Sequence, residues 1–319
     1  MKFRLIVVLS TIILLVFTLV SIFIVLSHYQ SRNDYIITLG NSYGGKFSIL
    51  GNYQSDSAYA MGMVYSKNAS LFISPFLWNL KSASGYTNLT YMGNILLVNV
   101  NFTNFEKINS NLQVDGYPGV MYGKEDWFPF AGKTLMPSYF VLPMRVISLP
   151  NFNSTLSYKT YDNKGIIDDL SYDIWLTQSP NTTYLLFPDM EIMIWLYYNE
   201  TLSQYFVKAG VIRESIVVNG TMIQDNFTVY ILPHTGSVNG WIGVYYISQL
   251  ELPAGNVTIP MSSLIKDSFN YVRGVFPDLQ TSAYYLCAIQ VGMEFNDIHG
   301  VVNVGYTLYN WTMTIQDEM

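Results

Sequence analysis

The sequence predicts an all-β fold, a jelly roll of two stacked, curved antiparallel sheets with a single α-helix. The first observation is rhythm. From about residue 52 onward, short alternating apolar runs are broken by Asn, Gly, Ser and Pro, the spacing of an antiparallel sandwich or jelly roll. The second is the runs themselves. "NILLVNVNF", "VISLP", "ESIVVNG", "NFTVYILP" and "GWIGVYYI" all read as strands. The third is the one exception. "IPMSSLIKDSFNYVRG" places Leu264, Ile265, Phe269 and Val272 at helical spacing, with Pro260 near its start and Gly274 past its end.

The elements run in order from the N-terminus. Lys2 and Arg4 precede an uncharged apolar run from Leu5 to Ser27. A signal-peptide core is shorter, roughly 7–15 residues, and ends at a small-residue cleavage site. This run is long enough to span a bilayer and no such site comes after it. Residues 1–27 are therefore expected to be a signal anchor, with a long signal peptide as the alternative. The flanking positive charges put the N-terminus inside. The remainder is expected outside the cell, either held to the membrane by residues 5–27 or secreted after cleavage. Residues 28–51 read as a tether merging into a first strand, and 52–319 as one β domain. Long loops are expected around 128–165 and 200–216. Sequons at Asn68, Asn88, Asn101, Asn153, Asn181, Asn199, Asn219, Asn226, Asn256 and Asn310 agree with an outward-facing chain and suit a glycoprotein.

Composition narrows the function classes. The chain of 319 residues is 16% aromatic and only 12% charged, about half the usual charged share. Its net charge of −6 carries no basic footprint for nucleic acid. A surface solvated by neutral Tyr, Asn, Ser and Thr suits an acidic medium, where protonated carboxyls would leave unbalanced positive charge. Ordinary drift in a secreted protein is the other explanation. Cys287 is alone, so no intrachain disulfide forms. It falls in a strand and reads as a buried small hydrophobe. His28, His234 and His299 are scattered without metal-ligand spacing. No nucleophile elbow, phosphate loop or dinucleotide fingerprint occurs. No metal and no cofactor are expected.

The chemistry sits on three strands. In "EIMIWLYY", Glu191, Met193, Trp195 and Tyr197 alternate with the core positions Ile192, Ile194 and Leu196. In "SYDIWLT", Asp173 and Trp175 share a face. In "YYLCAIQVGMEFND", Gln290, Gly292 and Glu294 oppose Ile289, Val291 and Met293. An unpaired buried charge is costly, so three carboxylates in register with aromatics call for a purpose. On a concave sheet they form a cleft. Sugars stack on aromatic rings, and a carboxylate pair flanking a glycosidic bond is the machinery of sugar hydrolysis.

These residues carry a resemblance. "EIMIWL" at 191–196 resembles the nucleophile strand of glycoside hydrolase family 12, the endo-β-1,4-glucanases. Other pieces fall in that family's order: "SPFLWNLKSASGY" at 74–86, "VDGYPGVMYGKEDW" at 114–127, "SYDIWL", "KDSFNYVRG" at the helix, "VGMEF" at 291–295 and "YNWTMTI" at 309–315. The resemblance spans roughly residues 55–316. The segment ahead of it gives the chain the form of an archaeal-type member with an N-terminal membrane segment. One departure stands out. "FLWN" replaces the family's common Asn-Asn-Leu-Trp-Gly, so Phe76 and Leu77 stand where polar residues are usual.

The resemblance implies a retaining endo-β-1,4-glucanase with its cleft across the concave sheet. Glu191 is then the nucleophile, Glu294 the general acid and base, and Asp173 the residue that supports Glu191. Trp195, Trp78 and Trp127 are implied sugar platforms, with Met193 beneath the cleaved sugar and Trp175 beside it. The partner is a β-glucan polysaccharide, with no nucleic acid, the membrane met only through the N-terminal segment, and a monomer expected. An activity optimum on the acidic side of neutral is expected, with hydrogen bonds holding Glu191's pKa low. The alternative is a non-catalytic carbohydrate-binding, surface-layer or adhesion protein on the same scaffold, which has no need of both carboxylates.

Overall fold

The structure is a computed structural model that describes residues 35–38, 47–51, 61–65, 69–92, 95–124, 132–199, 206–235 and 239–316. The expected membrane segment at 1–27, His28, Asn68 and Trp127 lie outside the described residues. Among the described residues no helix is long and apolar enough to cross a membrane.

In chain order the strands are β1 (Tyr35–Thr38), β2 (Phe47–Gly51), β3 (Gly62–Tyr65), β4 (Ser70–Ser74), β5 (Leu80–Met92), β6 (Ile95–Lys107), β7 (Gly119–Gly123) and β8 (Met144–Arg145). They continue as β9 (Phe152–Lys164), β10 (Ile166–Thr177), β11 (Met190–Tyr198), β12 (Val207–Val218), β13 (Thr221–Leu232), β14 (Ile242–Ser248) and β15 (Ala254–Ile259). The helix α1 (Met261–Val272) comes next, then β16 (Tyr285–Asn296) and β17 (Val301–Ile315). The all-β jelly roll with one α-helix among the described residues is the fold the alternating runs predict.

Two layers emerge from the ladders. One sheet runs β3-β4-β7-β16-β10-β11-β14-β13-β12 and carries the carboxylates. The other runs β2-β5-β6-β17-β9-β15. A short pairing of Val217 with Thr258 and Val218 with Val257 joins β12 to β15, so the layers are continuous at one edge. All these pairings are antiparallel except β11 with β14, which is parallel.

One core fills the space between the layers. Ile192, Ile194, Leu196, Tyr172, Ile174, Ile289 and Val291 meet Val98, Val100, Phe102, Val304, Tyr306 and Trp311. Each is about 2% exposed or less, and burying one such side chain contributes about 1.5–3 kcal/mol. The helix closes the core from one side with Leu264, Ile265, Phe269 and Val272, the four residues its spacing singles out. Pro260 precedes its first turn, and Ser262 accepts a hydrogen bond from the Phe152 N–H at 3.0 Å, which ties the helix to β9. Cys287 is fully buried in β16, its Sγ 3.1 Å from the Thr177 hydroxyl.

Three sequence expectations are corrected. "VISLP" is not a strand: after the two-residue β8, Val146–Ser148 form a single 3₁₀ turn. Pro143 and Pro150 bracket it, and proline cannot donate to a ladder. The long loops expected around 128–165 and 200–216 contain β9 and β12. Both strands have one face turned to solvent, so their apolar periodicity is diluted by Ser, Thr, Asn and Lys. β12 ends in a hairpin whose tip, Asn219-Gly220, has positive φ at both residues (50° and 81°), the preferred chemistry of a tight two-residue turn.

Candidate active site

The ladder positions each functional side chain. On the β16 side of β10, Asp169 faces Glu294, Ser171 faces Gly292, Asp173 faces Gln290 and Trp175 faces Ala288. On the β11 side, Trp175 faces Glu191, Asp173 faces Met193 and Ser171 faces Trp195. β14 continues the row, with Gly243 beside Glu191, Tyr245 beside Met193 and Ile247 beside Trp195. Directly opposed residues project from the same side of a sheet. Glu191, Glu294, Asp173 and Asp169 therefore share the face turned away from the core.

Alternation fails at one point. A bulge pairs Ser171 with Trp195 but Leu170 with Tyr197, leaving Leu196 as the extra residue. An extra residue switches the faces of the residues beyond it. Tyr197, expected beside Trp195, packs against the main core instead, and Tyr198 takes its place in the aromatic cluster.

Glu191 is 8% exposed. Its Oε2 accepts hydrogen bonds from the Trp241 indole N–H at 3.0 Å and the Tyr245 hydroxyl at 3.1 Å. Gly243 makes the second bond possible. Any Cβ there would lie 2.5 Å from the Tyr245 ring, which folds back over the glycine to reach the carboxylate. Trp241 is held in turn by the edge of Trp175, ring centroids 5.8 Å apart.

Electrostatics sets the two glutamates apart from surface carboxyls. Burial pushes Glu191 up to about 7, against the pull of the Trp241 and Tyr245 hydrogen bonds. Burial also pushes Glu294 well above the usual carboxylate range, and the charges of Asp169, Glu191 and Asp168 and a hydrogen bond with Asp169 add to the rise. The expectation that hydrogen bonds hold Glu191 low is thus corrected. The two bonds exist, but desolvation outweighs them, which moves the expected acidic optimum toward neutral pH.

Most of the aromatic residues on this face are enclosed. Trp195 is 1% exposed, covered by Tyr198, Phe206 and Tyr245 with ring centroids 6.2, 6.4 and 5.8 Å away. It offers no open ring face for a sugar to stack on. Met193 and Trp175 are each 2% exposed and lie under the surface as well. Trp78 is half-buried and packs onto the cluster of Tyr117, Met193, Trp195 and Tyr245. The Phe76 departure sits on the same cluster. Along the face, Met61, Phe72, Phe76, Tyr117, Met121 and Gln290 line a small further hollow.

Sequence reasoning missed Asp169, Trp241 and Tyr245. Asp169 lies two alternations before Asp173, so the "DDLSYD" run held that signal. Trp241 and Tyr245 alternate within "GWIGVYYI", but only the parallel pairing with β11 reveals whom they serve.

A pair of carboxyl groups set among rings on the face of a β-sandwich sheet turned away from the core is the apparatus of a glycoside hydrolase. The chain belongs to glycosyl hydrolase family 12, whose profile matches residues 70–316. Solved structures share its fold. The family 12 xyloglucanase from Bacillus licheniformis superposes with a TM-score of 0.57 at 19% identity, covering 84% of this chain and all of that one. Endoglucanase 3 of Trichoderma harzianum gives 0.54 at 18% identity, covering 84% and 98%. Endoglucanase cel12A of Rhodothermus marinus gives 0.54 at 17%, covering 85% and 99%. No curated protein sequence matches the chain significantly.

Proposed function

We propose that this glycoside hydrolase is an extracellular endo-β-1,4-glucanase that cleaves internal bonds of β-glucans with retention. The observation that carries the reading is the pair Glu191 and Glu294, which share one face of the sheet on the two strands that flank β10, the charge of Glu191 helping to raise Glu294. Glu191, ionised, attacks the anomeric carbon and forms a glycosyl-enzyme. The Trp241 and Tyr245 donors fix one carboxylate oxygen and leave the other for attack. Glu294, kept protonated by its surroundings, gives its proton to the leaving oxygen and later takes one from the attacking water. Asp173, diagonal to Glu191 across the ladder, supports the nucleophile in this reading. Trp78, half-buried on the aromatic cluster, is the leading sugar platform. The acidic, uncharged-polar composition and the apolar run at 5–27 support a place outside the cell, anchored or released.

The test is reducing-sugar release from carboxymethylcellulose and barley β-glucan by wild type, Glu191→Gln and Glu294→Gln. Release that both substitutions abolish at unchanged melting temperature establishes the hydrolase and its two carboxylates. Proton NMR of the first-formed product reads the anomer, and an inverted anomer removes the retaining mechanism. Binding without release in all three proteins turns the reading to a carbohydrate-binding module.

A further inference from the structure

β10 and β16 bring a second carboxyl against Glu294. Asp169 stands directly opposite it in the ladder and is fully buried. Of the charges acting on Glu294, that of Asp169 is the largest. Two carboxylates held side by side away from water resist ionising together, and an ionised carboxylate only accepts, so a bond between them needs one proton. Among the described residues, the titratable groups shown to act on the pair are acids: Asp168 from β10, Glu191 from β11, Tyr245 from β14, and Tyr117 ahead of β7. Glu294 is the half-buried member, and Asp169 lies behind it.

We propose that Asp169 is the positioning residue that keeps the acid catalyst loaded, accepting a hydrogen bond from protonated Glu294 and holding the proton on the carboxyl nearer the cleft. The inference rests on the reading of Glu294 as general acid. In the first half-reaction the Glu294 proton passes to the glycosidic oxygen as its bond to the anomeric carbon breaks and Glu191 bonds to that carbon. Glu294 is left as a second anion beside ionised Asp169. That two-anion state is relieved when water attacks, Glu191 departs with its bonding pair, and the water proton returns to Glu294. Asp169 thus weakens the acid slightly in the first step and strengthens the base in the second.

The experiment is kcat/KM against pH for wild type and Asp169→Asn on a soluble β-1,4-gluco-oligosaccharide. Asn keeps a polar group but removes the anion. The alkaline limb is expected to fall by about one pH unit or more, the scale of coupling in such pairs, with the melting temperature kept. An unmoved limb, or a loss equal at every pH, overturns the proposal. Should Asp169→Asn fail to fold, carbon-13 carboxyl titration of wild type and Glu294→Gln decides it. Two linked steps in wild type that become a single Asp169 step in Glu294→Gln support proton sharing; one ordinary step in wild type refutes it. A wild type that cleaves no β-glucan defeats the hydrolase reading, while the carboxyl titration still decides whether the proton is shared.

Discussion

The two outward faces of the sandwich share one core yet are built oppositely. On the outer sheet, Asn99, Asn101, Asn303, Thr307, Ser157 and Thr155 project away from the core across β6, β17 and β9. The sequon residues Asn88, Asn101, Asn153, Asn256 and Asn310 stand there too, none of them buried. On the other sheet, the outward face holds Glu191, Met193, Trp195, Asp169, Asp173 and Trp175, all of them buried. A face that only has to meet water is neutral, polar and exposed. A face that has to make two carboxylates differ from water-borne ones is enclosed by rings and starved of solvent. The burial of the carboxylate face does nothing for the core behind it, and it opposes the ionised form of every acid it holds.

The largest expected effect comes from removing that chemistry. Glu294→Gln keeps the shape but cannot donate or accept the catalytic proton, a contribution of about 10²–10⁴-fold. Glu191→Gln removes the nucleophile and is expected to cost at least as much in kcat. Retained turnover within tenfold of wild type for either variant would remove it from the mechanism.

A smaller effect tests how the face is supported. Gly243→Ala places a methyl 2.5 Å from the Tyr245 ring, 2.8 Å from its hydroxyl and 3.0 Å from the Thr235 hydroxyl. The ring must move and lose its bond to Glu191. A hydrogen bond to a charged group is worth about 1.5–3 kcal/mol, so activity is expected to fall roughly tenfold to a hundredfold. The overpacking itself costs about 1–3 kcal/mol of stability. Full activity at a lowered melting temperature would mean that Tyr245 packs against Glu191 without serving it.

The contrast also explains which features are legible in the sequence. The core strands can be read because Ile192, Ile194 and Leu196 alternate with Glu191, Met193 and Trp195 in a run that nothing else resembles. The helix can be read because Leu264, Ile265, Phe269 and Val272 all face one way. β9 and β12 cannot, because a strand with one face in water and polar residues on it looks like a loop. The donors to Glu191 are hidden for another reason. Trp241 and Tyr245 lie about 50 residues further on, and strand pairing over that distance leaves no local trace. A strict period of two puts Tyr197 on the wrong face, because a bulge interrupts it.

The pH dependence of stability sharpens the comparison next. Burial raises Glu191 to about 7 and Asp115 to about 6, and it also raises Glu294, Asp225, Glu214 and Asp162. Among the described residues with a resolved shift, exposed Glu106, paired with Lys81, is the one carboxyl lowered. A carboxyl whose folded pKa exceeds its unfolded value near 4 binds its proton more tightly in the folded state. Its stabilisation is complete below pH 4 and is lost as pH rises through about 6 for Asp115 and about 7 for Glu191. The melting temperature is therefore expected to be several degrees higher at pH 4.5 than at pH 7.5, the scale on which ~1–2 kcal/mol moves it. Glu191→Gln should flatten part of that slope. A protein that melts higher at pH 7.5 would mean that these carboxyls are ionised in the folded state at little cost. Such acid-favoured stability is the physical counterpart of the low surface charge, and on the carboxylate face it comes from Glu191 and Glu294.

The smallest expected effect lies on the outer sheet. Thr307 sits between Leu97 on β6 and Lys159 on β9, half-exposed on the neutral face. Thr307→Ala trims a half-exposed side chain that projects away from the core, so stability should change by less than about 0.5 kcal/mol. Glucan hydrolysis and its pH profile should not move, since the two sheets meet through a shared core that this substitution leaves untouched. A shifted pH profile in Thr307→Ala would mean that the outer face reaches Glu191 or Glu294 through the packing between the sheets. Chemical-denaturation midpoints and the pH profile, measured on the same preparation, separate those outcomes, because a purely local loss moves the first and never the second.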